Sequence, residues 1–155
     1  MTIRYAVPDD VPALSAVEAE CFPPAEAATA AEFAERVAYY GNHFWLMYDG
    51  DKLISFVDGF VTDEMYENAA MHNENGAWQM IFGVNTLPAY RQHGYAGESL
   101  QKAIADAKEQ GRKGLVLTCK DWLVPYYAKF GFVDEGVTDK STHGNVAWHQ
   151  MRLTF

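Results

Sequence analysis

One segment constrains the fold most, because it predicts a strand, a glycine-containing loop and a helix in direct succession. Residues 78–84 form an apolar run typical of a strand, and residues 94–109 place apolar side chains on one helical face. The loop between them carries Arg91, His93 and Gly94. Backbone N–H groups at the start of such a helix favour a bound anion, and Gly94 lets the anion approach without a Cβ in the way.

The positions of the glycines in this loop, and its lack of a lysine, disfavour two common kinds of anion site. The loop is neither the G-x-G-x-x-G of dinucleotide-binding folds nor a P-loop with its lysine, so a generic nucleotide site is disfavoured. Ala96 and Gly97 keep the first helical turn narrow, and Arg91 and His93 can add charge-assisted contacts. An ordinary glycine-containing turn between a strand and a helix has the same composition, so the loop alone leaves both interpretations open.

The rest of the chain predicts a sheet protein with flanking helices, in one domain that covers residues 1–155. The apolar periods follow the order β-α-α-β-β-β-α-β-α-β-β, which indicates an α/β or α+β fold. The predicted strands are 2–7, 43–48, 52–61, 78–84, 115–119, 132–137 and 145–154. The predicted helices are 11–21, 30–40, 94–109 and 122–130, with a polar, acidic loop at 62–76.

Composition excludes several classes of function. The formal net charge of -9 argues against nucleic acid as a partner, because nucleic-acid binding needs clustered Lys and Arg. No apolar run approaches the roughly 20 residues that cross a bilayer, and the first residues lack a signal-peptide pattern. We therefore expect no membrane partner and a cytoplasmic location. Cys21 and Cys119 are too few for a disulfide framework or a zinc site, so we expect reduced thiols and no metal.

A second motif, Tyr127-Ala128-Lys129-Phe130-Gly131-Phe132, follows a predicted buried strand. A tyrosine in such a position usually packs in the core with its hydroxyl satisfied. A phenol can also protonate the thiolate that leaves when an acyl group departs from a thioester. The reference pKa is about 10 for a phenol and about 8.5 for a cysteine-like thiol, so this proton transfer is only modestly uphill. Tyr127 is thus a candidate acid as well as a candidate core residue.

Together, the two motifs resemble the GNAT superfamily of acetyl-CoA-dependent N-acetyltransferases. Arg91-Gln92-His93-Gly94-Tyr95-Ala96 matches the Arg-x-x-Gly-x-Ala loop of that family, and the segment 127–132 matches its Tyr-x-x-x-Gly-Phe. The order of elements also matches, so the resemblance covers most of the chain. It implies a GNAT-like fold, with a central mixed, mostly antiparallel twisted sheet that is splayed in the middle and flanked by helices. A looser resemblance to the serotonin, or arylalkylamine, N-acetyltransferases rests on Cys119-Lys120-Asp121 and Leu123-Val124-Pro125-Tyr126-Tyr127.

The resemblance implies acetyl-CoA as the cosubstrate and assigns roles to residues of this chain. The strand before the loop would hydrogen-bond the pantetheine arm through the backbone of Val84, Asn85 and Thr86. The pyrophosphate would lie on Gln92, His93, Gly94, Tyr95, Ala96 and Gly97, with Arg91 beside it. Tyr127 matches the general acid of the family, and a strand N–H at or near Val84 would polarise the thioester carbonyl.

The proton acceptor is where this chain departs from the arylalkylamine branch. That branch carries two histidines, two residues apart, and the matching positions here are Met80 and Phe82. Neither side chain can take a proton, although an alkylamine with a reference pKa of about 10.4 is mostly protonated at neutral pH. The remaining candidates are His72, Glu74, Glu64 and Asp121. Asp121 also suits a helix cap, and His72 also suits a surface loop.

The acceptor stays open at this level. A pocket is expected between the first two helices, the segment 22–33 and the loop 62–76. The aromatic residues of these regions, most of which we expect in the core, are Phe22, Phe33, Tyr39, Tyr40, Trp45 and Tyr66. The sequence favours a small primary aryl- or alkylamine, ahead of a protein or peptide amino group. A non-catalytic module that binds coenzyme A is the alternative from another class, and self-association as a homodimer stays open.

Overall fold

The computed structural model describes residues 1–63, 72–138 and 148–155. The chain forms two compact units, Met1–Gly59 with Gly83–Ala103 and Phe60–Phe82 with Ile104–Phe155. The strands and α-helices are β1 (Thr2–Arg4), α1 (Val11–Cys21), α2 (Ala30–Tyr40), β2 (Phe44–Asp49), β3 (Lys52–Asp58), β4 (Val61–Thr62), β5 (Trp78–Ile81), β6 (Gly83–Thr86), α3 (Tyr95–Glu109), β7 (Gly114–Lys120), α4 (Val124–Ala128), β8 (Val133–Thr138) and β9 (Trp148–Thr154). Within the described residues, none of the helices has the length and apolar character needed to cross a membrane.

The first unit is built on a four-stranded antiparallel sheet in the order β1-β2-β3-β6. Helix α1 packs on β3 and β6, and α1 and α2 contact each other. Phe33 of α2 lies edge-on to Phe56 of β3, with ring centroids 5.7 Å apart, and to Phe44 of β2 at 6.5 Å. All three side chains are fully buried, so this aromatic layer forms the core of the unit.

Helix α2 begins and ends where the sequence predicts, and its first residues show why. The Thr29 hydroxyl accepts the Glu32 N–H at 3.2 Å, and the Glu32 carboxylate accepts the Thr29 N–H at 3.1 Å. This capping box satisfies two N–H groups that the helix itself cannot pair. Phe33, Val37 and Tyr40 then form a buried stripe at helical spacing. The cap and the stripe define α2 from residues that are close in sequence.

The second unit contains a five-stranded mixed sheet in the order β4-β5-β7-β9-β8. Strands β5 and β7 run parallel, and the other neighbours run antiparallel. Gly114 begins β7 at a point of very close approach, where a Cβ would lie 1.9 Å from the Leu153 carbonyl oxygen. Only glycine fits there, so this residue lets β9 reach its pairing distance at the start of β7.

The predicted strand 78–84 is two strands that pair with different partners. Strand β5 pairs with β7, whereas β6 pairs with β3. Phe82 separates the two strands, so the pairing changes at this residue. The observed order of elements therefore differs from the predicted one in this break and in the additional short strand β4. The predicted α/β fold with flanking helices is confirmed.

Two predicted strands end earlier than expected because their last residues bond elsewhere. The first strand ends at Arg4. The Ala6 N–H donates to the Gly41 carbonyl, and the Val7 N–H donates to a side chain, so these residues leave the strand. The predicted strand 52–61 ends early as β3, and its last residue begins β4.

An ion pair between the exposed Arg4 and the buried Asp10 ties the N-terminal strand to the start of α1. Arg4 binds the Asp10 carboxylate through two N–H groups, at 2.7 and 2.9 Å, and the Tyr48 hydroxyl donates to the same carboxylate at 2.8 Å. Asp10 is only 5% exposed. Burial by itself raises the pKa of Asp10, but the hydrogen bonds from Arg4 and two further donors outweigh it and lower the pKa to about 2.

We expect Asp10→Asn to destabilise the protein by about 1–2 kcal/mol at neutral pH, because it removes a charge-assisted pair. Since the pKa of Asp10 is lowered, its contribution is fully present above its ordinary value of 3.8 and is lost as the pH falls towards 2. Urea unfolding of both proteins from neutral pH to below pH 3 measures the difference. A difference that stays constant over this range would contradict the assignment.

Candidate functional site

The glycine loop joins β6 to α3 and turns through two left-handed residues. Gln92 has a φ of 66° and Gly94 a φ of 80°. Glycine adopts this conformation readily, whereas at Gln92 it costs about 1–2 kcal/mol. Residues 91–94 are exposed, and α3 begins at Tyr95 with its first N–H groups at the same end. The predicted loop is therefore a strained, exposed turn at a helix N-terminus, a geometry that suits an anion.

Local contacts hold the loop against the end of β6. The Arg91 Nε donates to the Thr86 carbonyl at 3.0 Å, and the Cys21 thiol donates to the same oxygen at 3.3 Å. The His93 and Tyr95 rings stack with centroids 5.5 Å apart. Arg91 therefore anchors the loop through Nε, in addition to the charge that the sequence predicts for it.

Strand β6 is the outer strand of its sheet, and its register decides which backbone groups face the open edge. The Leu87 N–H donates to the Ile54 carbonyl at 2.9 Å. Hydrogen bonds alternate along an antiparallel pair, so Asn85 also bonds to β3, whereas Val84 and Thr86 point their backbone groups to the outer edge. The Thr86 carbonyl is already used by two donors. Of the three residues predicted to bind the pantetheine arm, Val84 is therefore the one that offers both its N–H and its C=O at the outer edge.

One face of the β3-β6 pair is covered by α1, and buried polar side chains lie on this face. Glu18 of α1 accepts hydrogen bonds from the Asn85 amide and from the Ala28 N–H. Asp58, the last residue of β3, is paired with Gly83 of β6. We call Glu18, Asp58, Gly83 and Asn85 the Asp58 cluster. Its three polar side chains are all less than 9% exposed.

Asp58 is the titratable centre of this cluster. Its burial raises the pKa to about 7, and the charge of Glu18 adds to this, while Arg36 and a hydrogen bond with Tyr40 act in the opposite direction. The carboxyl group therefore changes charge near neutral pH. The sequence reasoning missed Asp58, although an aspartate at the end of a buried apolar run is unusual for a strand and is a signal of function.

Tyr127 lies in the second unit, on α4, and is 6% exposed. The rings of Tyr126 and Phe132 lie edge-on to it at 5.1 and 6.1 Å. Burial raises the pKa of Tyr127 well above that of a free phenol, so its hydroxyl keeps its proton at neutral pH. The predicted helix 122–130 is shorter than expected, because a 3-10 turn at Asp121–Leu123 precedes α4. The predicted acid is a buried, protonated phenol.

His72 has partners at both ring nitrogens. Its Nδ1 accepts the Val61 N–H at 3.0 Å, and its Nε2 lies 2.9 Å from the Glu74 carboxylate. Nδ1 can take a proton only if it gives up the backbone hydrogen bond, so the ring is poorly placed to act as a base. Met80, at one position of the missing histidine pair, is buried in the core.

Asp121 and His149, both in the second unit, form a hydrogen-bonded pair. Asp121 hydrogen-bonds to His149, and the pKa of His149 is raised by Asp134 first and by Asp121 second. The Asp121 carboxylate is thus engaged in a hydrogen bond with His149. Asp121 is also the first residue of the 3-10 turn before α4. Glu64, the remaining candidate base, lies outside the described residues.

The aromatic residues of the expected pocket fall into three groups. Phe33, Tyr40 and Trp45 are buried to 1% exposure or less, which confirms that they belong to the core. Phe22 is half-buried, and Tyr39 is 49% exposed. The sixth residue of the set, Tyr66, lies outside the described part of the chain.

A model of the acetyltransferase (GNAT) family matches residues 11–132 of the chain. The chain belongs to the GNAT acetyltransferase family. The match runs from the first residue of α1 to the end of the Tyr127 motif and includes the glycine loop. The resemblance drawn from the two motifs is therefore confirmed, and the protein is an acyltransferase. The narrower likeness to the serotonin branch stays a prediction.

Solved structures with the GNAT fold cover nearly the whole chain. The GNAT-like decarboxylase GphF, in complex with isobutyryl-CoA, has a TM-score of 0.81 at 20% identity and is matched over 99% of both chains. The loading GNATL domain of CurA from Lyngbya majuscula has a TM-score of 0.86 at 14% identity, over 99% of this chain and 96% of that one. A ribosomal-protein alanine N-acetyltransferase from Escherichia coli has a TM-score of 0.77 at 17% identity, over 99% and 92%. No sequence among the curated proteins matches the chain.

We expect Gly94→Ala to lower the free energy of unfolding by about 1 kcal/mol, because the backbone of the alanine has to adopt a left-handed conformation that its Cβ disfavours. The Cβ meets nothing within 4 Å, so the cost comes from the backbone alone. Gly94→Asn is the matched control, since asparagine tolerates this conformation better. Chemical denaturation of the three proteins measures both effects. Equal stability of the alanine variant and the wild type would show that the φ of Gly94 is not required.

Proposed function

We propose that this GNAT enzyme transfers the acetyl group of acetyl-CoA to a small primary aryl- or alkylamine, by direct attack of the amine on the thioester. The observation that carries the proposal lies within the first unit, where an open strand edge at Val84 leads through the exposed residues 91–94 into the first turn of α3. A pantetheine arm needs backbone donors and acceptors in a row, and a pyrophosphate needs N–H groups at a helix start. The chain offers both in succession.

The loop holds the pyrophosphate in this proposal. The loop leads directly into the start of α3, where the first N–H groups of a helix lack partners within the helix, and its two left-handed residues turn the backbone there. The residues that we assign to this contact are Gln92, His93, Gly94, Tyr95, Ala96 and Gly97. Arg91 adds a positive charge at the end of β6, where its Nε is already anchored.

Strand β6 aligns the pantetheine arm as an added strand. Val84 carries most of this role, because the backbone of Asn85 bonds to β3 and the Thr86 carbonyl is in use. The Val84 N–H is also the donor that we assign to the thioester carbonyl, where negative charge develops during attack. Fixing the thioester in this way turns the encounter with the amine into an effectively unimolecular step, which supplies a large part of the rate.

Tyr127 is our proposed source of the proton that the departing thiolate takes. The assignment rests on the family motif around it and on a phenol that is protonated at neutral pH. The raised pKa makes the transfer to a thiolate less favourable than for a free phenol. The same burial keeps water from competing as the proton donor.

The acidic composition supports a cationic acceptor. A formal net charge of -9 raises the local concentration of amines, which are positively charged at neutral pH. A protein or peptide amino group is the second candidate in the same class, and the Escherichia coli neighbour with this fold is an alanine N-acetyltransferase of a ribosomal protein.

Release of thiol from acetyl-CoA with a panel of amines tests the proposal. We expect release with tryptamine, phenethylamine, spermidine or another small primary amine, and weaker or no release with peptides. A reaction without amine is the control, because hydrolysis of the thioester also releases thiol. Binding of acetyl-CoA with no amine-dependent release would overturn the proposed transfer to an amine.

Tyr127→Phe is expected to lower kcat by about 100-fold, because it removes the proposed acid, while the Kd for acetyl-CoA stays unchanged. Tyr126→Phe is the matched control, since its ring contacts that of Tyr127 and is only partly buried. We expect the control to retain kcat. A Tyr127→Phe enzyme with a wild-type rate would show that the assigned role is wrong.

A further inference from the structure

Two buried oxygen atoms beside β6 have no hydrogen-bond partner among the described residues. They are Oδ2 of Asp58 and Oδ1 of Asn85. The two residues are 1% and 2% exposed. A buried acceptor without a donor costs about 1–3 kcal/mol, so such atoms are rare and concentrate where a protein binds something.

The orientation of Asn85 is set by the other end of its amide. Its Nδ2 donates to Oε1 of Glu18 at 2.5 Å, and a carboxylate can only accept, so the NH2 group has to face Glu18. Glu18 is held in turn by the Ala28 N–H, which donates to Oε2 at 2.8 Å. The amide oxygen of Asn85 is thereby turned away from Glu18 and presented as an acceptor.

The side chains that carry the two acceptors both lie beside Gly83, although the Asp58 oxygen nearest to it is Oδ1 rather than the unpartnered Oδ2. A Cβ on Gly83 would lie 2.6 Å from Oδ1 of Asp58 and 3.8 Å from Oδ1 of Asn85. A larger residue would push the carboxylate away, so the glycine lets Asp58 lie directly against the backbone of β6. Gly83 and Val84 are themselves half-buried, so solvent reaches the strand beside the two acceptors.

The charged groups around Asp58 come from the two helices. Glu18 of α1 opposes ionisation of Asp58, and Arg36 of α2 favours it. The Tyr40 hydroxyl of α2 is a hydrogen-bond partner, while β2 and β6 place only Phe44 and Gly83 opposite Asp58. Two carboxylates thus stand against the one guanidinium that acts on Asp58, so this group of charges is negative when both carboxylates are ionised.

We propose that Asp58 and Asn85 receive the nitrogen of the acceptor amine, and that Asp58 takes a proton from it before attack. The inference rests on the proposed function. A primary ammonium carries three N–H donors and one positive charge, which matches two acceptors that lack donors in a negative environment. Val84, the residue assigned to the thioester carbonyl, follows Gly83 on the same strand, so the amine and the thioester meet at adjacent residues.

The ammonium gives one proton to the Asp58 carboxylate and becomes a neutral amine. Its nitrogen then forms a bond to the carbonyl carbon as the bond from that carbon to sulfur breaks. The nitrogen loses a second proton as the amide forms, and this loss balances the proton that the coenzyme A thiolate takes up. Asp58 returns its proton to solvent before the next turnover.

The pH dependence of kcat/KM for the amine, in wild type and Asp58→Asn, tests the inference. In the wild type, kcat/KM rises about tenfold per pH unit and levels off above pH 7, where Asp58 is ionised and accepts the proton. In Asp58→Asn only the neutral amine reacts, so kcat/KM falls about 100-fold at pH 8 and keeps rising to about pH 10. The Kd for acetyl-CoA stays unchanged.

A weakly basic amine provides a second readout that a merely structural role would not move. Fluorine atoms on the carbon next to the amine-bearing carbon keep the nitrogen neutral at pH 7. Such an amine needs no proton acceptor before attack, so we expect Asp58→Asn to lower its kcat/KM by less than about tenfold, against about 100-fold for the parent amine.

Two further variants keep the test decisive. Asp10→Asn also removes a buried carboxylate from the first unit, and it is expected to retain the plateau above pH 7. Gly83→Ala displaces the Asp58 carboxylate without removing its charge, and it is expected to raise the KM for the amine about tenfold. It serves as the test variant if Asp58→Asn does not fold.

The stability of Asp58→Asn is an independent check of the charge. Because the pKa of Asp58 is raised, the wild type is most stable below pH 4 with respect to this group and loses stability as the pH rises through 7. The stability of Asp58→Asn relative to wild type is therefore expected to increase over this range.

A plateau near pH 7 in Asp58→Asn, or an equal loss of rate with both amines, would overturn the inference and leave acetyl transfer intact. A wild-type protein that acetylates no amine would overturn the proposed function, and the inference with it.

Discussion

The antiparallel pairing of β6 with β3 is the constraint on which the candidate site depends. Hydrogen bonds alternate along this pair, so the N–H and C=O of Val84 point to the outer edge. The same alternation places Asp58, Gly83 and Asn85 on the face that α1 covers. A register shift of one residue would move the side chains of β6 to the opposite face. One pairing therefore sets both the edge that we propose for the pantetheine arm and the buried acceptors that we propose for the amine.

Two buried aspartates of the first unit show how surroundings decide the properties of one residue type. Asp10 has three donors on its carboxylate, and its pKa is lowered to about 2. Asp58 is more deeply buried and has an oxygen without a donor among the described residues, and its pKa is raised to about 7. A permanently charged, fully partnered carboxylate stabilises the fold. A carboxylate that titrates near neutral pH, beside a strand edge, is the kind that enzymes use to move protons.

The elements that could be predicted from the sequence are those whose signals are local. The capping box at Thr29 and the apolar stripe that follows define α2 within 12 residues of chain, from Thr29 to Tyr40. The glycine loop is placed before α3, as its left-handed Gly94 requires. The break at Phe82 had no such signal, because a change of strand partner depends on which strands lie to either side. Asp58, the proton acceptor that we propose, did have a local signal as an aspartate at the end of an apolar run, but its burial and its neighbours depend on distant parts of the chain.

The sequence by itself determined the family, the position of the glycine loop and the candidate acid Tyr127, because each rests on residues that are close together in the chain. Only the tertiary structure decided which backbone groups of β6 face outward and which side chains are buried without donors. Asn85 bonds to Glu18 across 67 positions of sequence, and Asp58 meets Gly83 through strand pairing. The pKa of Asp58 follows from its removal from water, and burial is a property of the packed surroundings rather than of the residue.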